Sequence, residues 1–313
     1  MQAMRTFSSF FFGATSMVLV AMVFHSCKKE EQVVFSDNTI PAYNEIPTIL
    51  VENYVNRVYI DLIGREPTDI EMAGDVQLLE SAELSVNARK ALSDKLMFST
   101  VFIEGDSSYK QAFYTKFYND TKARLLEGIS EASLDETYSI YYFNALQDSL
   151  NGNIPAYELG MIEANKLKDI IDSRVDLSSE VITVNEMYRR MMFNAVYDEI
   201  NMNTFNFINA SFDNLFFRYP TDAEFEQAYA PIEYNGSGII FGQVVSNKPE
   251  YLDVLTSSSE YKEGMIRWAY LQLLSRDALT GEVYNRMDMM NDGYNINAVI
   301  QSILITDEYA GFD

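Results

Sequence analysis

The side chains that most enzymes use for catalysis are scarce in this chain. Its 313 residues include one His, His25, and one Cys, Cys27, against 46 Asp and Glu. One Cys cannot form an internal disulfide, and a single imidazole leaves little room for histidine chemistry. Carboxylate pairs remain the main catalytic option, since a glycosidase needs only two acids about 5 to 10 Å apart.

The charge of the chain argues against nucleic acid as a partner. The 46 acidic residues face only 23 Lys and Arg, which gives a net charge of −23. Binding to DNA or RNA depends on Lys and Arg that displace counterions from phosphates. With 48% apolar and 22% charged residues, the composition is otherwise that of an ordinary globular protein.

The N-terminal segment has the layout of a secretory signal. Arg5 is its only charge, and an apolar stretch of 15 residues runs from Phe10 to Phe24. A bilayer-spanning helix needs about 20 such residues, so this length favours a signal over the alternative of a retained membrane anchor. We therefore expect residues 1–26 to be removed.

The end of this segment resembles a bacterial lipobox, because the small residue Ser26 directly precedes Cys27. The resemblance implies cleavage between these two residues and a covalent lipid on Cys27. Phe24 and His25 depart from the usual Leu and small residue at their positions. After cleavage the mature chain would hold 22 basic and 46 acidic residues, a net charge of −24, and neither His nor free Cys. Histidine triads, His-ligated zinc and thiol redox chemistry would then be excluded.

A charged cluster follows the Cys and consists of Lys28, Lys29, Glu30 and Glu31. It resembles the export signal of lipoproteins of Bacteroidota, which implies transfer to the outer face of the outer membrane. The alternative is a simple solvated tether. Residues 27–49 carry turn-forming residues and little periodicity, and we expect a lipid-anchored tether there.

Three segments farther along the chain share one pattern around an arginine. In each, an aromatic residue lies six positions before the Arg, a Leu three before it and a Glu six after it. The three sets are Tyr59, Leu62, Arg65 and Glu71; Phe212, Leu215, Arg218 and Glu224; and Tyr270, Leu273, Arg276 and Glu282. The second and third also close alike, with Glu250-Tyr251 and Glu308-Tyr309 at matching distances from the Arg. Such self-similarity predicts a helical repeat.

Each repeat predicts a helix that ends at the Arg, where a cation suits the helix dipole. Thr68 and Thr221 then begin capping boxes of a second helix. The third repeat has Leu279 at that position, so its second helix is expected to start one residue later, at Thr280. We expect each Arg and Glu to form a structural ion pair or cap, and we assign no catalytic residue.

These repeats resemble those of phycobilisome linker domains and related bacterial surface proteins, through the Ile266–Arg276 segment and the closing Asp307-Glu308-Tyr309. The first repeat, with Gly64-Arg65-Glu66-Pro67-Thr68, is also similar to the N-terminal domain of planctomycetal cytochrome-associated proteins. Both resemblances imply an all-helical interaction module. The Cys-x-x-Cys-His of covalent haem attachment is missing from the sequence, and nothing suggests bilin pigments.

The predicted architecture is therefore all-α. Repeat one covers residues 50–106, a helical insert 107–203, repeat two 204–259 and repeat three 260–313. In the insert, helix starts are predicted at Ser133, at Thr183 and near Pro155, with a break at 151–153. Aromatic and Met residues at helical spacing there are expected in the core. The sole β pattern is a short run at Gly238–Phe241.

Two weaker signals stand apart from the repeats. Residues 288–295 hold oxygen ligands and a Gly, but their spacing does not fit an EF-hand loop, so a polar turn is expected and no metal is assigned. Asp148-Ser149-Leu150 resembles the O-glycosylation sequon of Bacteroidota.

Together these features predict a surface lipoprotein that acts as a non-catalytic subunit of an outer-membrane complex for secretion, assembly, gliding or nutrient uptake. The expected partners are a barrel protein and other lipoproteins, with no cofactor besides the lipid on Cys27. The alternative is a lipoprotein that binds or cleaves glycans with paired carboxylates and exposed aromatic platforms. That alternative needs Trp268 and tyrosines exposed in a cleft.

Overall fold

The computed structural model describes residues 46–102 and 107–312. The predicted signal peptide, Cys27 and the export signal Lys28–Glu31 lie outside the described residues. The described part is mostly helical, in agreement with the all-α prediction. None of its helices combines the length and the apolar character that crossing a bilayer requires.

The elements follow one another in the order below. The helices before the strands are α1 (Thr48–Ile63), α2 (Asp69–Ser81), α3 (Val86–Phe98), α4 (Tyr109–Leu125), α5 (Glu131–Leu150), α6 (Ile154–Ser178), α7 (Val184–Met192), α8 (Ala195–Asn201), α9 (Thr204–Phe216) and α10 (Asp222–Tyr234). After the strands β1 (Gly238–Ile240) and β2 (Gln243–Val245) come α11 (Lys248–Ser257), α12 (Ser259–Leu274), α13 (Thr280–Tyr284), α14 (Met287–Asn291), α15 (Ile296–Leu304) and α16 (Asp307–Ala310).

Local sequence signals explain most of these boundaries. Thr68 and Thr221 accept hydrogen bonds from the backbone of Glu71 and Glu224, so both predicted capping boxes form. Helix α1 begins at Thr48, inside the predicted tether. The predicted strand pairs in antiparallel fashion with β2, and its Gly238 faces Val245.

Residues 109–201 form five helices joined by turns, but one predicted helix start is wrong. Helix α5 begins at Glu131 because Ser130, three residues before Ser133, caps it by accepting from the Ser133 backbone. Thr183 does precede α7, yet its hydroxyl donates to Asn185 instead of capping the helix. Pro155 lies in the first turn of α6, as predicted.

The core runs through the helices on either side of the insert and includes much of the insert itself. The expected aromatic and Met stripes of α4 and α7 are buried, namely Tyr109, Phe113, Phe117, Met187, Met191 and Met192. The expected tyrosines of α5, Tyr138, Tyr141 and Tyr142, are only partly buried. Helices α9 and α12 cross at Gly264, where an added Cβ would lie 2.2 Å from the Leu215 carbonyl oxygen. A side chain at Gly264 would therefore separate these two helices.

Helices α5 and α6 form a long antiparallel pair, and the main helix contact of α5 is α6. Leu134 anchors the base of α5 in the core. From Ser139 to Glu163, a wholly described stretch, Ala145 is the one buried side chain. We call residues 139–163 the hairpin tip.

The C-terminal helix α16 packs on α1. The Tyr309 hydroxyl donates to Asp61 at 2.8 Å, and the Arg57 guanidinium lies 4.1 Å from the centre of the Tyr309 ring. Arg89 pairs with Asp307 at 2.8 Å. These contacts hold α16 against α1 and α3.

Candidate functional site

The three predicted arginines follow helix ends of the same geometry. The residue before each Arg closes its helix in the left-handed conformation, with φ of 77° at Gly64, 58° at Phe217 and 54° at Ser275. Only one of these three is the glycine that this conformation favours. We call residues 64–71, 217–224 and 275–282 the arginine turns.

Every arginine turn contains the same two-pronged ion pair. Both terminal nitrogens of the guanidinium donate to the two carboxylate oxygens of the Glu six residues later, at 2.7 to 2.9 Å. In all three turns the Arg Nη1 also donates to the backbone carbonyl of the residue after the Arg, at 2.9 to 3.1 Å. Bidentate pairs of this kind fix geometry and are stronger than single hydrogen bonds.

The Arg218 guanidinium also holds a second carboxylate, that of Glu260 in the first turn of α12. Its Nη2 donates to Glu260 Oε2 at 2.9 Å and its Nε to Oε1. With the bonds to Glu224 and to the Tyr219 carbonyl, all five N–H donors are used.

Arg276 repeats this arrangement with Glu308 in α16. Its Nε and Nη2 donate to the two Glu308 oxygens at 2.6 and 2.7 Å. Glu250 matches Glu308 by its position after the Arg in the sequence, but it accepts from the backbone of Ser246 and from Asn247 at the start of α11. The counterpart of Glu308 is Glu260.

The aromatic residue of the pattern lies beneath the guanidinium. The Arg carbon sits 5.6 Å from the centre of the Tyr59 ring in the first turn, 5.0 Å from Phe212 in the second and 5.1 Å from Tyr270 in the third. The Leu three residues before each Arg is buried in the core. A cation–π contact thus explains the aromatic residue six positions before each Arg. Burial in the core explains the Leu three positions before it.

The ion pairs shift the titration of the carboxylates. The hydrogen bonds from Arg218 and Arg276 lower the pKa of Glu224 and Glu282 to about 2. Burial opposes this change at Glu71, but hydrogen bonds from Arg65, the Thr68 backbone and the Tyr109 hydroxyl together bring its pKa to about 2 as well. All three carboxylates are therefore held as anions in the folded protein.

The third arginine turn lacks one half of its cap. Helix α13 does begin at Thr280, but Thr280 lies four residues after its Arg, as Asp69 and Asp222 do in the other turns. The prediction that this helix starts one residue later than its counterparts in the other two turns is therefore wrong. Leu279 occupies the capping position, and its backbone N–H donates to Glu282 at 2.7 Å. Its apolar side chain offers no acceptor in return.

A polar network that the sequence did not reveal lies beside the first arginine turn. The buried Asp75 accepts from the Tyr59 hydroxyl at 2.7 Å and from Lys95 Nζ at 2.7 and 2.8 Å. Lys95 also donates to the Tyr59 hydroxyl at 2.9 Å. Each charged group has a partner within the network, and we expect such a satisfied network to stabilise the fold. Helical spacing alone could not have joined α1, α2 and α3 in this way.

Trp268, which the glycan alternative needs exposed in a cleft, is buried. Trp268 is 8% exposed, and its ring meets Phe117 edge-on with centroids 5.5 Å apart. The cleft beside it is lined by Asp61, Asp120 and others and measures about 50 Å³, too small for a sugar ring. Three exposed tyrosines lie elsewhere: Tyr219 in the second arginine turn, Tyr234 at the end of α10 with its ring centre 6.0 Å from that of Tyr229, and Tyr284 at the end of α13.

Two amide oxygens of the polar turn at 288–295 form hydrogen bonds within the protein. Asn291 Oδ1 accepts from Lys262, and Asn295 Oδ1 caps α15 by accepting from the Ala298 backbone. Across residues 46–102 and 107–312, no group of three or more His, Cys, Asp or Glu side chains is placed to hold a metal ion. Asp148-Ser149-Leu150 lies at the end of α5, in the hairpin tip.

The hairpin tip also carries apolar side chains that the sequence analysis did not single out. Exposed examples are Ile140, Phe143, Leu150, Leu159 and Ile162. Helical periodicity marks apolar faces but does not say which of them a neighbouring helix covers. These positions are exposed because α5 packs mainly on α6.

Comparison with known proteins adds no relative: no family model, curated protein or solved structure matches this chain. The resemblance of its repeats to phycobilisome linker domains therefore stays a prediction.

Proposed function

We propose that this chain is a surface-exposed lipoprotein of the outer membrane and a non-catalytic, protein-binding subunit of an outer-membrane complex. Secretion, assembly, gliding and nutrient uptake are the activities that such a complex would serve. In this proposal Cys27 carries the lipid, Lys28 to Glu31 direct export, and the helical body binds a barrel protein or another lipoprotein.

The hairpin tip is the observation that carries the binding role. Exposed apolar side chains on a soluble surface mark interaction sites when several lie together. Ile140 is 54%, Phe143 64% and Leu150 88% exposed on one helix. Their burial against a partner would remove apolar surface from water, which is the main favourable term in protein association.

The arginine turns support a structural role for the pattern residues. Arg218 and Arg276 use every N–H donor on neighbouring protein groups. Rearranging such a guanidinium toward a substrate would break two carboxylate pairs at once. We therefore assign these residues to holding helices together, and the function to the surfaces that those helices present.

The binding role is tested by purification from membranes in mild detergent. A C-terminal tag on the wild-type chain is expected to recover an outer-membrane partner in a fixed ratio. Ile140→Ser with Phe143→Ser should lower that ratio, whereas Val175→Ser, an exposed position on α6 outside the tip, should preserve it. Recovery of the lipoprotein alone in all three preparations would refute the proposal.

Anchoring and orientation need a second experiment. Cys27→Ser is expected to abolish incorporation of a palmitate analogue and to release the chain from the membrane fraction. Replacing Lys28 to Glu31 with alanines should retain the lipid but protect the chain from protease added to intact cells. Protection of the wild-type chain would instead place it on the periplasmic side.

A further inference from the structure

One stripe of helix α5 faces away from the rest of the protein. Ile140, Phe143, Gln147 and Leu150 follow one another at steps of three, four and three residues, so they share one helix face. Ala145 lies on the opposite face, where a Cβ added at Gly160 of α6 would approach the Ala145 Cβ to 2.8 Å. The four residues therefore point away from α6. We call them the outward stripe.

The outward stripe has the spacing of a coiled-coil seam. Apolar residues at alternating steps of three and four are the pattern by which one helix receives the side chains of another. All four positions are exposed. The Phe143 ring is held against Tyr142, with centroids 5.6 Å apart, so its position is partly fixed before any partner binds. The geometry suits a helix laid along α5 on the side opposite α6.

The negative charge around the outward stripe favours a basic binding partner. Residues 125–165 contain seven acids and no Lys or Arg, and five of these acids form no ion pair within the described part of the chain. Glu136 lies four residues before Ile140, on the same face, and is exposed. Two copies of this surface would repel each other, and so would a membrane of anionic lipids. A basic partner would instead be attracted.

We propose that the outward stripe binds an amphipathic helix of a partner protein, with an apolar seam flanked by Lys or Arg. The apolar seam would cover Ile140, Phe143 and Leu150, and a basic side chain would face Glu136. This inference rests on the proposed protein-binding function and names the chemistry of the partner segment.

Two synthetic helices test the proposal on the full-length, detergent-solubilised protein. Both carry Leu at the seam positions, one with Lys and the other with Glu at the flanking positions. Fluorescence anisotropy is expected to give at least tenfold tighter binding of the Lys peptide, weakening as salt rises. Equal affinity for the two peptides would overturn the proposal.

General attraction between a cationic peptide and an acidic protein must be separated from docking. Ile140→Ser with Phe143→Ser leaves the charge unchanged and is expected to weaken the Lys peptide at least tenfold. Val175→Ser should stay within twofold of the wild type. Circular dichroism checks that both variants keep the wild-type helix content. Unchanged binding by the folded double variant would overturn the proposal.

Two further outcomes would assign the stripe to another occupant and overturn the proposal. One is binding of the wild-type chain, but not the double variant, to vesicles of phosphatidylcholine and phosphatidylglycerol beyond what its own lipid causes. The other is a dimer that the double variant abolishes. Partner recovery without peptide binding would refute this inference alone, whereas peptide binding without a cellular partner would refute the proposed function alone.

Discussion

Arg218 holds Glu260 across 42 residues of sequence and thereby fixes the start of α12 to the end of α9. The contact is bidentate, and its acceptor lies in the first turn of α12, where a carboxylate also suits the helix dipole. Arg276 and Glu308 form the same contact across 32 residues. One guanidinium thus closes a local turn and joins it to a helix farther along the chain.

A double-mutant cycle measures this contact. Arg218→Gln, Glu260→Gln and the combined variant are expected to give a coupling of about 1 kcal/mol in urea unfolding, since the pair is partly exposed and screened by water. The matched cycle of Arg218 with Glu250 should give a coupling near zero, because Glu250 bonds elsewhere. Equal couplings in the two cycles would contradict the assignment of Glu260.

Acid should weaken the fold through the arginine-turn carboxylates. The pKa of Glu71, Glu224 and Glu282 is about 2 in the folded state and near 4.5 when unfolded. Their contribution is therefore present above pH 4.5 and is lost as the pH falls toward 2, with a slope of at most about 1.4 kcal/mol per pH unit for each group.

The free energy of unfolding measured from pH 6 to pH 2.5 tests this expectation. A variant with Gln at all three positions should be less stable at pH 6 and show a shallower acid slope than the wild type. Carboxylates elsewhere, including Asp61, whose pKa is raised by burial, are common to both proteins and cancel in the difference. Parallel curves would show that the ion pairs do not lower these pKa values.

Gly264 marks the closest approach of α9 and α12. Gly264→Ala is expected to destabilise the protein by about 1–3 kcal/mol, because the new Cβ meets the Leu215 carbonyl at 2.2 Å and the helices must separate. The control is Gly74→Ala in α2, where an added Cβ would lie within 4 Å of no other described part of the protein beyond its own helix. That change should stabilise by about 0.5–1 kcal/mol through helix propensity. Thermal or urea unfolding would show opposite signs.

The incomplete cap of α13 offers a stabilising change. Leu279→Thr should supply the missing acceptor and raise the free energy of unfolding by about 1 kcal/mol. The reverse change, Thr68→Leu, removes an existing cap and should lower stability by a similar amount. A loss of stability in Leu279→Thr would mean that the Leu side chain contributes more by packing than a cap contributes by hydrogen bonding.

The sequence predicted the local part of each arginine turn well. An Arg at a helix end and a Glu at the third position of the next helix must meet across so short a turn. The contact of each Arg with the aromatic ring six residues before it was not predicted. Phe217 and Ser275 adopt the left-handed conformation without being glycine. The residue types at these positions therefore did not indicate that all three turns share one backbone geometry.

The long-range partners were not predictable in the same way. Matching Glu250 to Glu308 assumed that the second and third repeats have equal length. The strands β1 and β2, Gly238–Ile240 and Gln243–Val245, lie between Arg218 and Glu260 and lengthen that path. Contacts such as Lys95 to Asp75 depend on how separate helices pack, and periodicity fixes only which face each helix buries.

Site-specific photo-crosslinking in intact cells tests the protein-binding role most directly. A photoreactive phenylalanine analogue replaces Phe143 in the outward stripe or, as a control, the equally accessible Tyr219 outside the hairpin tip. We predict one dominant covalent adduct with another protein from position 143, its loss when Ile140→Ser is added, and no such adduct from position 219. No adduct from position 143, or the same adducts from both positions, would contradict the account.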